Sequence, residues 1–125
     1  MVDPDVVDAL ARAGLPTSGP VKLFHATSKA AAASIDGSGV LVGDQHGQAW
    51  MASSDEIAAL HAAGTTSHAS AGGTVVDAIV EIEINADDLF FAETRQSRVG
   101  DVELFYALDP GGGCPINVCC VRAWP

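Results

Sequence analysis

Basic residues are scarce in this chain. Six Lys and Arg stand against sixteen Asp and Glu, a formal charge of −10 over 125 residues. So acidic a surface argues against a domain that grips phosphate backbones without sequence preference, and against a polybasic membrane binder. Cysteine is scarce too. Cys114, Cys119 and Cys120 are an odd number without C-x-x-C spacing, which excludes a self-contained disulfide framework and fits reduced surroundings. No apolar run reaches the roughly 18 residues of a membrane helix. The opening Met1-Val2-Asp3-Pro4-Asp5 is acidic and lacks the apolar core of a signal peptide. The expected location is cytoplasmic, or the cytoplasm into which a delivered module is carried.

Several motifs are missing as well. The chain has no P-loop, no G-x-G-x-x-G and no G-x-S-x-G. Gly111-Gly112-Gly113 lies between two expected strands, not before a helix, and reads as a turn instead of a phosphate cradle. The histidines, His25, His46, His61 and His68, show no zinc-ligand spacing with the cysteines. No metal is expected. Cys119 and Cys120, adjacent on a strand, should point to opposite faces, with one of them in the core.

What is present suffices for one domain spanning 1–125. Hydrophobic residues are 48% and charged residues 18%, which excludes wholesale disorder. Val6, Val7, Leu10 and Ala13 recur at helical spacing over residues 3–13, with Gly14 and Pro16 as stops. This helix and the linker Pro16–Pro20 form a segment 1–20 ahead of a core 21–125. Val21–His25 alternates as a short strand. Ser28 is an N-cap for an Ala-rich helix to Asp36, and Gly37 and Gly39 stop it. Gln48–Ala52 reads as a strand. Ser53 with Glu56 has capping-box spacing for a helix over 54–63. Thr65–Gly73 has no large apolar residue and is expected to be a mobile loop. Thr74–Ile84 is the clearest strand, with Val76, Ala78, Val80, Ile82 and Ile84 on one face. Glu93–Gly100 reads as a polar loop. Strands follow over 103–108 and 116–123. Early helices and later strands imply an α+β fold with small, mostly antiparallel sheets.

Three strand-end motifs stand out: Leu23-Phe24-His25-Ala26-Thr27-Ser28, then Ala49-Trp50-Met51-Ala52, then Asp101-Val102-Glu103-Leu104. Taken in this order, from about Val21 onward, the chain resembles the His–Tyr–Glu branch of the ADP-ribosyltransferase superfamily, in particular its small bacterial toxin domains. His-Ala-Thr-Ser matches the family's first motif. Its second motif is an aromatic residue at a strand end, with another on the next helix eleven positions on. Trp50 and His61 stand at that interval in place of two tyrosines. Glu103 opens the strand of the third motif. Asp101-Val102-Glu103 is also similar to the acidic pair of the arginine-modifying branch, but that branch would have Arg where this chain has His25.

The resemblance implies a split β-sandwich of two small, mostly antiparallel sheets with a few short helices and a central NAD cleft. It also implies roles. Cleaving the nicotinamide–ribose bond builds an oxocarbenium-like cation, which a carboxylate, Glu103, would stabilise while holding the ribose 2′-OH. Trp50 and His61 would flank the nicotinamide ring. His25 would bond the adenosine ribose, the Ala26 backbone the nicotinamide amide, and Thr27 and Ser28 would assist. Arg95 and Arg98 would belong to the loop that reads the acceptor. Each residue has a plainer reading: a strand-edge charge for Glu103, core packing for Trp50, a solvated helix position for His61, a helix cap for Ser28, solvated charges for the arginines.

The implied activity is NAD-dependent mono-ADP-ribosyl transfer by a toxin or effector domain, with NAD as substrate and an unidentified acceptor. An immunity protein or antitoxin is an expected partner; membrane and nucleic acid are not favoured. An NAD glycohydrolase differs only in using water as acceptor. The alternative from another class is a non-catalytic acidic binding or immunity module. An RNA 2′-phosphotransferase would need a basic RNA-binding lobe, which this composition lacks.

Overall fold

The computed structural model describes residues 1–62 and 76–124, with side chains for 1–60 and 76–124. The expected strand 74–84 is therefore seen from Val76 onward, and the loop expected over Thr65–Gly73 lies outside the described residues. The fold is α+β, with two antiparallel sheets and three short helices.

Helix α1 spans Pro4–Arg12. The Asp3 side chain accepts from the Asp5 amide at 3.0 Å and Pro4 supplies a preset first-turn φ. Its Val6, Ala9 and Leu10 are fully buried in the main core, so the first twenty residues are part of the body of the domain. Strand β1, Pro20–Thr27, leads to α2, Lys29–Ser38. Ser28 Oγ caps α2 at the Ala31 amide, and Gly39 ends it at φ 71°. The short β2, Val40–Leu41, precedes a loop and β3, Gln48–Ala52. Helix α3, Ile57–Ala62, begins three residues later than expected. The Ser53/Glu56 capping box does not form, because Ser53 Oγ binds the Glu103 amide at 2.8 Å and Glu56 binds Arg98.

Strand β4, Ala78–Asn85, buries Ala78, Val80, Ile82 and Ile84 on one face, as its alternation requires. A 3-10 turn, Ala86–Asp88, leads to β5, Phe90–Ser97. The segment expected to be a polar loop is thus mostly strand, paired with β6, Gly100–Leu108. Its residues alternate between exposed and half-buried, so it carries no apolar run. The small strand β7, Cys114–Pro115, pairs with β2, and β8, Asn117–Ala123, completes the larger sheet. The larger sheet has the order β5-β6-β3-β1-β4-β8.

Adjacent β6 residues enter different clusters. Phe105 joins the main core beneath α1 and α2, while Leu104 joins a smaller cluster with Ile57 and Leu60 of α3. The two clusters therefore lie on opposite faces of the sheet.

Candidate functional site

The larger sheet is nearly divided in two. β1 pairs with β4 over its whole length, Pro20–Thr27, and β3 with β6 over Gln48–Ala52. Between β1 and β3 only one position is in register, Phe24 opposite Ala52. The halves β5-β6-β3 and β1-β4-β8 part beyond it, and a cleft of about 180 Å³ opens there. At roughly 30 Å³ per water, that is room for one ring system with part of a sugar. His25 and Ala26 line one wall, Trp50 and Met51 the other, with Asp44 at the rim and Ile57 and Leu104 also contributing.

His25 spans the parting. Its Nδ1 lies 2.7 Å from the Trp50 carbonyl oxygen on the neighbouring strand. A carbonyl only accepts, so Nδ1 carries the proton and donates it. Burial lowers the His25 pKa below its ordinary value; the bond to Trp50 opposes this in part. The ring is therefore neutral near pH 7, and its Nε2 presents a lone pair.

Trp50 is held at both ends. Its ring lies 5.1 Å from that of Tyr106, and its Nε1 donates to Asp44 Oδ2 at 3.0 Å. Desolvation pushes the Asp44 carboxyl up, but donors from Trp50, Gln48 and His46, with the nearby His46 side chain, more than offset it. The group stays ionised, below the usual carboxylate range. Asp44 had no signal in the sequence beyond its place in a Gly-bounded loop.

Other expected site residues lie elsewhere. Thr27 and Ser28 are at the strand–helix joint and do not line the cleft. The Thr27 carbonyl accepts from the Asp77 amide, and Ser28 caps α2. His61 is on α3, but its side chain lies outside the described residues. Arg95 and Arg98 line a separate depression between α3 and β5, which shares no residue with the cleft. Arg98 forms a two-pronged bond to Glu56, both contacts at 3.0 Å, which lowers the Glu56 pKa and raises that of Arg98. Arg95 pairs with Glu93 at 3.3 Å.

Glu103 departs most from expectation. It is 2% exposed, the only buried charged side chain among the described residues, and not an exposed strand-edge charge. It shares the face of Phe105, whereas its neighbour Leu104 lines the cleft. Arg12 Nε donates to its Oε1 at 2.5 Å, and the Thr94 hydroxyl lies 3.0 and 2.7 Å from its two oxygens. His25, Ala26 and Trp50 are thus assembled at one cleft and Glu103 is turned away from it. The cysteines also differ from expectation: Cys114 is buried, and Cys119 and Cys120 are both exposed, beside a bulge opposite Glu81/Ile82.

No family model matches the chain, and comparisons with curated proteins and with solved structures find no match. Among the described residues, no group of three or more His, Cys, Asp and Glu is placed to hold a metal ion, and no helix is long and apolar enough to cross a membrane.

Proposed function

We propose that this domain binds NAD in the cleft between β1 and β3 and transfers its ADP-ribose, as a toxin or effector would, to an acceptor in a host or competitor cytoplasm. What carries the reading is the parting of the sheet at His25 and Trp50, two motif residues 25 positions apart in sequence. The neutral His25 Nε2 accepts a ribose hydroxyl. The Trp50 indole offers a flat face to nicotinamide. The C1′–N bond breaks with its electron pair leaving on nicotinamide. The acceptor's nucleophile then attacks C1′ and loses its proton.

The cation formed needs a carboxylate. Asp44, ionised and lining the cleft, is the acid at hand; Glu103 would serve only by leaving Arg12 and turning from the Phe105 face toward the cleft. Nicotinamide release by wild type, Trp50→Ala, Glu103→Gln and Asp44→Asn tests this. Trp50→Ala should lose binding together with rate. One of the two acid variants should lose roughly a hundred- to a thousand-fold in turnover. No nicotinamide release from wild type, with or without added acceptor proteins, overturns the reading. The non-catalytic binding module then takes its place, a reading favoured by the orientation of Glu103 away from the cleft.

A further inference from the structure

One surface shares Trp50 and Asp44 with the proposed NAD cleft and runs outward from it across the sheet. Phe90 on β5, Tyr106 on β6 and Trp50 on β3 occupy one row of the sheet: Phe90 is opposite Tyr106, and Tyr106 is opposite Trp50. Opposite residues in antiparallel pairs share a face. The Phe90 and Tyr106 rings stack at 5.2 Å with 15° between planes, and Trp50 continues the row at 5.1 Å.

The row is open to solvent at its outer end. Phe90 is 39% exposed, and Leu108, two residues past Tyr106 on the same strand face, is 57% exposed. Val42, at the cleft rim, is more exposed still. Three of the six large apolar side chains exposed among the described residues therefore gather here. An aromatic and aliphatic patch of this kind on a soluble surface marks an interaction site.

Charge decides what fits it. Asp44 bonds Trp50, and Asp109 follows Leu108. Asp109 sits beside the loop of Asp44, its Oδ2 accepting from the Gly43 amide at 2.8 Å. None of the six Lys and Arg falls in the segments that build this surface, 42–50, 86–91 and 106–109. Stacked rings rimmed by carboxylates attract a cation that also presents a flat face, which a guanidinium does better than an ammonium. A phosphate backbone would meet repulsion.

We propose that the Phe90–Tyr106–Trp50 row is a docking surface for an arginine-rich segment of a partner protein. It holds guanidinium groups by stacking and by pairing with Asp44, with Asp109 beside it. The surface needs no NAD chemistry. It adjoins the cleft at Trp50, so a docked segment would lie beside the proposed reaction centre.

Titration at physiological salt with labelled twelve-residue peptides of arginine-rich, lysine-rich and glutamate-rich sequence, and with a single-stranded oligonucleotide, tests the proposal. The arginine peptide should bind at least about threefold more tightly than the lysine peptide, and the other two probes should not bind. Phe90→Ala keeps every charge and should weaken arginine-peptide binding about tenfold. Phe90→Tyr, which keeps the ring, should retain it. Phe90→Tyr should melt with the wild type, and Phe90→Ala, which gives up the stack on Tyr106, should melt somewhat lower but stay folded at the temperature of the titration. Unchanged binding by Phe90→Ala would mean that charge alone attracts the peptide and would overturn the proposal, as would preference for the oligonucleotide. Nicotinamide release by Phe90→Ala should equal that of wild type. Its absence from both proteins would count against the NAD reading and leave the peptide result standing.

Discussion

Replacing Arg12 with alanine would strip a buried carboxylate of its counter-charge. Glu103 is 2% exposed, and the Arg12 side chain is 50% exposed. In the variant, Glu103 would keep one hydroxyl donor, Thr94, whose single proton serves both oxygens. Breaking a buried pair costs about 3–5 kcal/mol. Half of Arg12 is in water, which brings this down to about 2–3 kcal/mol. Arg12 also lies 5.3 Å above the Phe91 ring, worth about 0.5–1 kcal/mol at an open site. A total near 3 kcal/mol corresponds to a melting point lower by about 10 °C in a domain of this size. Glu103→Leu should cost less, because the freed Arg12 can return to water while the new side chain joins the Phe105 face. The double variant Arg12→Ala/Glu103→Leu should be more stable than Arg12→Ala alone. Thermal and urea melts of the four proteins form the cycle. If Arg12→Ala melts within a degree or two of wild type, or the two changes simply add, the pair carries no stability and the helix α1 is held by its apolar face alone. The pairing also makes Glu103→Gln a structural change as well as a chemical one, so its melt belongs beside any rate.

Two further outcomes are expected. His25 titrates lower in the fold than its unfolded value of about 6.5, so below that pH the unfolded chain binds more protons. Its contribution to stability is complete above about pH 6.5 and is lost as pH falls through the window down to the folded pKa; urea melts between pH 8 and 5 should show that decline, and His25→Gln should flatten it. Thiol labelling of the native protein should modify Cys119 and Cys120 quickly and Cys114 only on unfolding, because Cys114 is buried and its thiol pKa is raised; three thiols reacting at one rate would contradict the packing of β7 against β2.

Local features were legible wherever a segment's own residues decide its structure. Asp3 and Pro4 start α1, Ser28 and Gly39 bound α2, and the alternation through Ile84 makes β4. Those signals act between residues a few positions apart, and no distant partner competes for them. The candidate site was legible in part for the same reason: His25 and Trp50 sit in short strands that the pattern could locate. Distant partners decided the rest. Ser53 and Glu56 had the spacing of a capping box, but the Glu103 amide and Arg98 took their side chains. Glu93–Ser97 looked like part of a loop because a strand at the sheet edge needs no apolar run, only β6 to pair with. Glu103 reads as an exposed charge until α1, 91 residues away in sequence, lays Arg12 over it. The cleft depends on strand order above all. β3 and β1 are neighbours that meet at one position, and no local preference encodes a gap between two strands. It arises because each is held more strongly by its other neighbour, β6 on one side and β4 on the other.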